Sequence, residues 1–228
     1  MEASMISVVI PVKRDIRAES AVRKLKKWQH LIGDSLEVIV CGELTAGQAC
    51  SGLRCIDVVP ADKGTCVRTG ILASHGVIVL VCDADIPVEF SDLDRLVNAL
   101  PAQGMSIGYR LYSNADPKLQ APIIRRFTSY AFRRFVGLLF GFPQDIDPQC
   151  GVKVFSSKAA KVLFAELQTQ GLGYDLEILT KAYSKGIRVV SIPVSWKYSG
   201  SSISLCRDSF GVFLEAISLW LRVHSRIA

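Results

Sequence analysis

Five apolar runs with helical stretches and turns between them constrain this chain most. They are "ISVVIPV" (6–12), "LEVIV" (36–40), "CIDVV" (55–59), "VIVLVC" (77–82) and "MSIGY" (105–109). A strand with one face in water alternates apolar and polar residues, whereas one covered on both faces reads as a continuous apolar run. Residues 18–32 place Val22, Leu25, Trp28 and Ile32 at helical spacing, with Gly33 as the stop. Residues 65–75 read as a helix ending at Gly76. Ser91 opens a short helix, with Asp94 as its capping partner and Leu93, Leu96, Val97 and Leu100 turned inward. Such alternation predicts a largely parallel sheet covered on both faces.

The second half is less regular. Residues 118–140 read as a helix holding Ile123, Ile124, Phe127, Phe132, Phe135, Leu138 and Leu139 beside Arg125, Arg126, Arg133 and Arg134. After the loop "FPQDIDPQC" come a short strand (152–155), a helix begun by Ser157 (158–167), a helix capped by Gly186 (174–185) and a strand (187–196). Residues 207–226 are amphipathic, with Phe210, Phe213, Leu214, Ile217, Trp220 and Leu221 on one side. The 228 residues suffice for one domain with a large core. The expectation is therefore a single-domain α/β fold at 1–206, with a mostly parallel central sheet and flanking helices, and a C-terminal amphipathic helix at 207–228. No internal repeat, low-complexity linker or second-domain boundary is visible.

A formal charge of +6 and a pI near 9.0 favour an anionic partner. The seven cysteines form no C-x-x-C pair and read as reduced thiols of a cytosolic protein. His30, His75 and His224 lie far apart, which disfavours zinc; a bound metal would take oxygen ligands, as Mg²⁺ or Mn²⁺ does. The opening "MEASMISVVIPVKRD" predicts no secretory leader, and no apolar run approaches the ~20 residues of a membrane span.

Within "VLVCDADIP" (79–87) a buried strand ends in Asp83 and Asp85. An Asp at a strand end is commonly a turn residue. In open α/β sheets, however, ligands bind beyond the carboxyl ends of the strands, where this pair lies.

Taken in order, "SVVIPV", "DKGTCVRTGILASHG", "VLVCDADIP", "IGYR", "DPQCGVKVF", "GYDLEIL" and "IPVSW" resemble the motifs of family 2 glycosyltransferases, which have the A-type (GT-A) nucleotide-diphospho-sugar transferase fold. The resemblance covers roughly residues 6–203. "DPQCGVKVF" with "GYDLEIL" is most similar to dolichyl-phosphate β-glucosyltransferases and bacterial polyprenyl-phosphate glycosyltransferases. The family usually carries an Asp pair after the second strand to hold base and ribose; here "VIVCGEL" puts Cys41 and Gly42 there, followed by Glu43. Asp15 stands where the first loop usually has Glu, and Lys13 where it often has Tyr.

The resemblance implies an Mg²⁺- or Mn²⁺-dependent transferase. Asp85, with Asp83, would hold the metal, and Asp83 would also orient the donor. Pro11, Asp15, Lys63, Arg68 and Arg110 complete the donor site. Arg125 and Arg126 would bind an acceptor phosphate or the leaving diphosphate, and Asp147 and Asp175 are the candidate catalytic carboxylates on the acceptor side. Each has a plainer reading: Arg68 as a helix-surface charge, Arg110 as a solvated one, Asp147 as a turn residue before Pro148, and Asp175 as a first-turn acid favoured by the helix dipole. A hydroxyl acceptor needs a general base; a phosphate monoester, with a second pKa of about 6, does not.

The expected function is inverting transfer of a hexose, with UDP-glucose the leading donor, to a polyprenyl phosphate at the cytoplasmic membrane face. The segments 123–139 and 207–226 would lie on the membrane surface. A soluble transferase for hydroxyl acceptors and a non-catalytic nucleotide-sugar-binding protein stay open. No nucleic-acid partner is expected, and homo-oligomerisation is left open.

Overall fold

The computed structural model describes residues 5–13, 18–32, 35–44, 54–112, 123–197 and 207–225. Its strands are β1 (Ile6–Lys13), β2 (Leu36–Glu43), β3 (Arg54–Asp57), β4 (Ile78–Cys82), β5 (Met105–Tyr112), β6 (Val152–Ser156) and β7 (Val189–Trp196). Its helices are α1 (Ala18–Ile32), α2 (Lys63–Ala73), α3 (Phe90–Asn98), α4 (Ile123–Phe140), α5 (Ser157–Ala165), α6 (Tyr174–Ser184) and α7 (Arg207–His224).

The strands form one sheet in the order β3-β2-β1-β4-β6-β5-β7. β1 pairs in parallel with β2 and β4, β2 with β3, and β5 with β7. β6 is antiparallel to both neighbours. Two reversals restore direction, so β5 and β7 point the same way as β1–β4. Consequently the ends of β1, β4 and β5, the start of β6 and the start of α2 all come to one edge. This edge is the one at which parallel sheets bind ligands.

The continuous apolar runs are covered as expected. Val8, Val9, Ile10, Val79, Leu80, Val152, Val154 and Phe155 are buried in one core with Leu25 and Trp28 of α1 and Val67 and Ile71 of α2. Three helix ends depart from their expected chemistry. The N-cap of α3 is Glu89, without a side-chain cap. Asp94, expected to cap that helix, accepts the indole N–H of Trp28 at 2.7 Å. Ser156 rather than Ser157 caps α5, accepting the Ala159 N–H at 3.3 Å. α2 stops at Ala73, before Gly76, and a Cβ on Gly76 would lie 2.6 Å from the Ser7 amide nitrogen. Gly186 ends α6 as expected, in the left-handed conformation at φ +66° that glycine adopts without steric cost. Gly33 lies outside the described residues.

α7 packs on the domain through Val212, Ala216 and Leu219, and Phe213 meets Phe135 of α4 at 4.8 Å between ring centroids. The fully buried residues of this helix are therefore not those of its expected apolar side, although Phe213 of that side packs on α4. Leu214 and Leu221 point outward. Among the described residues no helix is long and apolar enough to cross a membrane.

Candidate active site

The turn after β4 is drawn tight by the Ile86 N–H donating to the Asp83 carbonyl at 3.0 Å. Ile86, buried and β-branched, sits at φ +44°. Such a residue rarely tolerates that region, and strain of this kind collects at functional sites. From α1, Lys24 donates to the Asp85 carbonyl at 2.7 Å. The "DADIP" turn is thus fixed from two sides.

Asp83 needs a hole, and "DPQCG" supplies it. A Cβ on Gly151 would lie 1.9 Å from Asp83 Oδ2, and the Asp83 N–H donates to the Gly151 carbonyl at 3.2 Å. On its other oxygen, Asp83 meets Lys63 Nζ at 2.8 Å, with both side chains partly open to solvent. Burial works against the Lys63 ammonium, but the carboxylates of Asp83, Asp175 and Asp85 outweigh it and hold its pKa above the usual lysine value. Lys63 opens α2, and Gly64 behind it lets the helix approach closely: a Cβ there would lie 2.5 Å from the Thr169 carbonyl oxygen.

Asp175, at the start of α6, is buried with Lys153 of β6, their charges 2.6 Å apart. Asp175 Oδ1 makes no aligned hydrogen bond, so the two form an ion pair without hydrogen-bond geometry. The ammonium instead donates along a good line to the Cys150 carbonyl at 2.6 Å. Tyr174 lies beside this pair; burial, and then the charges of Asp175 and Asp83, push its phenol well above the usual value.

A second charged group adjoins the first at Cys150. Asp147, nearly inaccessible, takes both fork nitrogens of Arg110, Nε at 2.6 Å and Nη2 at 2.9 Å. Arg133 of α4 lies 3.8 Å from the same carboxylate and 4.6 Å from the centroid of the Tyr109 ring. Arg110 in turn lies over Trp196 at 5.5 Å. Burial alone would raise the Asp147 pKa; the charge and hydrogen bonds of Arg110, with Arg133, reverse that and hold it below the usual carboxylate range. Bidentate pairing of this kind is strong and directional.

The structure therefore brings Lys63, Asp83, Asp85 and Asp175 into one cluster and Arg110 with Asp147 into its neighbour. Arg68 turns out otherwise: its guanidinium donates to the carbonyls of Phe164 and Ala165 at 3.0 and 2.9 Å, closing the C-terminus of α5. Each oxygen of Asp147 accepts from the Arg110 guanidinium, so the carboxylate holds that side chain in place. Arg126 lies half-buried on α4, and Pro11 lies in β1 opposite Cys41 of β2. Asp15 and the side chain of Arg125 lie outside the described residues.

The buried Lys153 and the space-giving Gly151 carry no signal in the sequence, and Arg133 reads there as a helix-surface arginine and not as a site residue. All three sit in or beside stretches whose patterns looked significant, but burial and partners come only from tertiary packing. Burial pushes the Cys150 and Cys41 thiols up to about 12 and Cys66 to about 11, so these three stay protonated and are poor nucleophiles.

Among the described residues no three His, Cys, Asp or Glu side chains converge to cage a metal. A substrate-bridged ion needs only one or two protein carboxylates, its other ligands being phosphate and water. Asp83 and Asp85, with the room left by Gly151, fit that donor set.

No protein-family model matches the chain. Its fold is that of solved A-type glycosyltransferases. The glucosyl-3-phosphoglycerate synthase of M. tuberculosis superposes with a TM-score of 0.69 at 18% identity, covering 95% of this chain and 80% of that one. The same enzyme in complex with Mn²⁺ and UDP-glucose gives 0.66 at 17% identity, covering 93% and 79%. The mannosyl-3-phosphoglycerate synthase of Rubrobacter xylanophilus gives 0.67 at 13%, covering 98% and 75%. In sequence, the chain is 34% identical over 161 residues to a dolichyl-phosphate beta-glucosyltransferase of Saccharomyces cerevisiae, covering 64% of this chain and 48% of that one. It is 31% identical over 171 residues to the Dictyostelium discoideum enzyme of that name, covering 72% and 51%. The chain thus spans about half the length of the curated relatives it matches. The motif resemblance is met both in sequence and in fold.

Proposed function

We propose that the chain is an inverting, metal-dependent hexosyltransferase that moves glucose from a nucleotide-sugar, with UDP-glucose the leading donor, to a polyprenyl phosphate. The observation that carries this reading is the pair of adjoining clusters at the carboxyl edge. One is acidic with a lysine (Asp83, Asp85, Lys63); the other is an arginine pair anchored on a buried aspartate (Arg110 and Arg133 on Asp147). The names of the relatives and the Mn²⁺ and UDP-glucose bound by the structural neighbour support it.

The chemistry follows from the charges. A phosphate oxygen of the acceptor attacks the anomeric carbon as the bond to the donor's diphosphate breaks, and the diphosphate leaves with the electron pair. The acceptor is already anionic at pH 7, so no side chain takes its proton. This suits an Asp147 whose oxygens each accept from Arg110. Asp85, assisted by Asp83, would hold Mg²⁺ or Mn²⁺, which neutralises charge on the leaving diphosphate. Lys63 adds a fixed positive charge at the same end. Arg110, expected in the donor set, is held by Asp147 beside Arg133, and with Arg126 these cations would meet the acceptor phosphate instead. Lys153 pairs with Asp175 at the neighbouring cluster. Arg68 drops out of the donor set.

The lipid acceptor places the protein on a membrane, and we assign the cytoplasmic face. On α4, Ile123, Phe127, Tyr130 and Leu138 are 83%, 69%, 55% and 80% exposed and form one stripe, with Arg134 in it. An apolar stripe carrying arginine suits the plane of anionic headgroups. Residues 1–206 would be the catalytic domain, with α7 as its C-terminal companion.

A decisive assay incubates the full chain with Mn²⁺, labelled UDP-glucose and either a polyprenyl phosphate or a free polyprenol. Product from the phosphate alone is expected. Product from hydroxyl acceptors alone supports the soluble alternative, and donor binding without transfer to either supports a non-catalytic one.

A further inference from the structure

The loop between α5 and α6, residues 166–173, borders the site and is held from three sides. Glu177 of α6 accepts the amide hydrogens of Gln168 and Thr169 at 3.0 and 2.7 Å. The Gln170 carbonyl accepts the Gly64 N–H at 2.7 Å, next to Lys63. From α7, Glu215 Oε2 accepts the Gly173 N–H at 2.5 Å, and Gly173 immediately precedes Tyr174 and Asp175. Two turns along α7, Arg222 donates to Gln168 Oε1 and Thr169 Oγ1, both at 3.1 Å.

The glycines show that this seat is shaped for a carboxylate. A Cβ on Gly171 would lie 2.1 Å from Glu215 Oε1, and one on Gly173 would lie 2.6 Å from Oε2. Neither glycine has the positive φ that would require it for backbone reasons. Both are bare where the Glu215 carboxylate lies. Glu215 is half-buried beside inward Val212, Ala216 and Leu219, and the Gly173 N–H gives its carboxylate a partner there.

We propose that Glu215 is a positioning residue for the transfer site. Seated on Gly171 and Gly173, it fixes the loop that places Asp175 directly and Lys63 through Gly64. This deepens the functional reading and rests on its assignment of Lys63 and Asp175 to the site. It also gives α7 two roles, since Leu214 and Leu221 of the same helix face outward. The helix that would meet lipid holds the loop behind the reacting groups.

The test uses the full chain as wild type, E215A, E215Q and G171A. Gln keeps an oxygen for the Gly173 N–H. The alanine at 171 displaces only the flexible end of Glu215, so this variant folds even where E215A does not. Amide hydrogen exchange at Gly64 and across 168–176 is expected to quicken about tenfold or more in E215A and G171A and to return close to wild type in E215Q, as loss of a local restraint lowers local opening free energy. With UDP-glucose and a polyprenyl phosphate, kcat should fall about tenfold or more, the scale of a small misplacement. KM for the donor should change less, and binding to anionic vesicles should not change. Unchanged exchange at Gly64 and 173–176 overturns the proposal. So does altered exchange with unaltered kcat, which makes the contact structural only. A wild type that glucosylates no lipid phosphate defeats the functional reading instead, and the exchange pattern still decides whether the clamp exists.

Discussion

At the amino ends of β1 and β2, Ser7 and Glu37 stand opposite each other in register; at the carboxyl edge of the same sheet stand Asp83, Lys63, Asp147 and Arg110. Both ends hold charge, but they hold it differently. Glu37 accepts the Ser7 hydroxyl at 2.5 Å and the His75 N–H at 2.9 Å, pairs with His75 Nδ1 at 2.8 Å, and lies 3.4 Å from Arg54. Burial alone would raise its pKa, but these partners reverse that and hold it low. These partners tie the starts of β1, β2 and β3 to the connection between α2 and β4, and Arg54 also donates to the Ala73 carbonyl at 2.6 Å, so the network serves the fold. At the carboxyl edge, charges from β4, β5, α2, α4 and α6 converge around a strained turn and a missing Cβ at Gly151. Charge of the first kind supports the fold, whereas converging charge leaves a shaped electrostatic field for a ligand.

The largest effect should come from breaking the Arg110–Asp147 pair. R110M leaves a buried carboxylate with Arg133 as its remaining ion-pair partner among the described residues, and removing one partner of a buried pair costs about 3–5 kcal/mol. Adding D147N to R110M should restore much of that stability without restoring transfer, because the cation has gone. Urea unfolding and transfer assays on the single and double variants measure the two quantities separately. Equal activity in R110M and wild type would remove Arg110 from the site.

Next comes a loss in rate. D85N keeps the shape of the turn and removes its charge, so transfer should fall by at least ~100-fold, the scale of one strong transition-state stabiliser, with the fold intact. E37A at the opposite edge should do the reverse. Its folded fraction should transfer normally, while stability drops by about 2 kcal/mol through lost charged hydrogen bonds. Similar profiles for the two variants would erase the distinction between the edges.

Much of this contrast is readable in the sequence at the level of elements and not at the level of partners. Continuous apolar runs mark β1, β2 and β4 because both faces of the sheet are covered. The reversal of β6 leaves no trace, since "VKVF" reads the same in either direction of pairing. Asp83, Asp85, Asp147 and Asp175 stand out because acids after strands and before helices are noticeable, and the structure gathers them at one edge. Which cation each acid meets is decided by packing across 20 or more residues of sequence, as the Lys63–Asp83 and Arg110–Asp147 pairs show. Arg68 misleads for the same reason, being drawn to carbonyls nearly a hundred positions away. Lys153 hides inside a strand that alternation alone would leave half-exposed.

A smaller effect lies in pH. Glu37 and Asp147 both have depressed pKa values in the folded state. Their contributions are therefore present above the unfolded carboxylate values and fade as pH falls through the lowered ones, so acid weakens both edges. Lys63 behaves oppositely. Its folded pKa is raised, so its contribution is complete below the unfolded value of about 10.4 and is lost as pH climbs through the folded one. Alkali should therefore weaken the carboxyl edge selectively. Melting temperatures of wild type and K63M between neutral and strongly alkaline pH test this. The difference between them should shrink at the alkaline end, and a constant difference would contradict the coupling.

The smallest effect concerns which base the donor carries, and here the carboxyl edge departs from the motifs it resembles. Cys41 and Gly42 replace an acidic pair, and the structure shows why acids do not fit as the strands now lie. A Cβ on Gly42 would lie 1.9 Å from the Val12 carbonyl oxygen, too close to backbone for any side chain. Cys41 is fully buried, and a Cβ on the facing Gly70 of α2 would come 3.0 Å from its sulfur. Its thiol, pushed up to about 12 by burial, stays neutral and is a poor acceptor. Without two carboxylates to accept from the base and ribose, recognition rests on diphosphate and sugar, which all glucose donors share. UDP-, dTDP- and GDP-glucose should then bind within about tenfold of one another, a span of ~1.4 kcal/mol, when titrated calorimetrically with Mn²⁺. A preference beyond a thousandfold for one base would show that another acid, Glu43 or Asp15, has taken over its recognition. G42D sharpens the test: if space is the obstacle, this change should lower stability without improving discrimination.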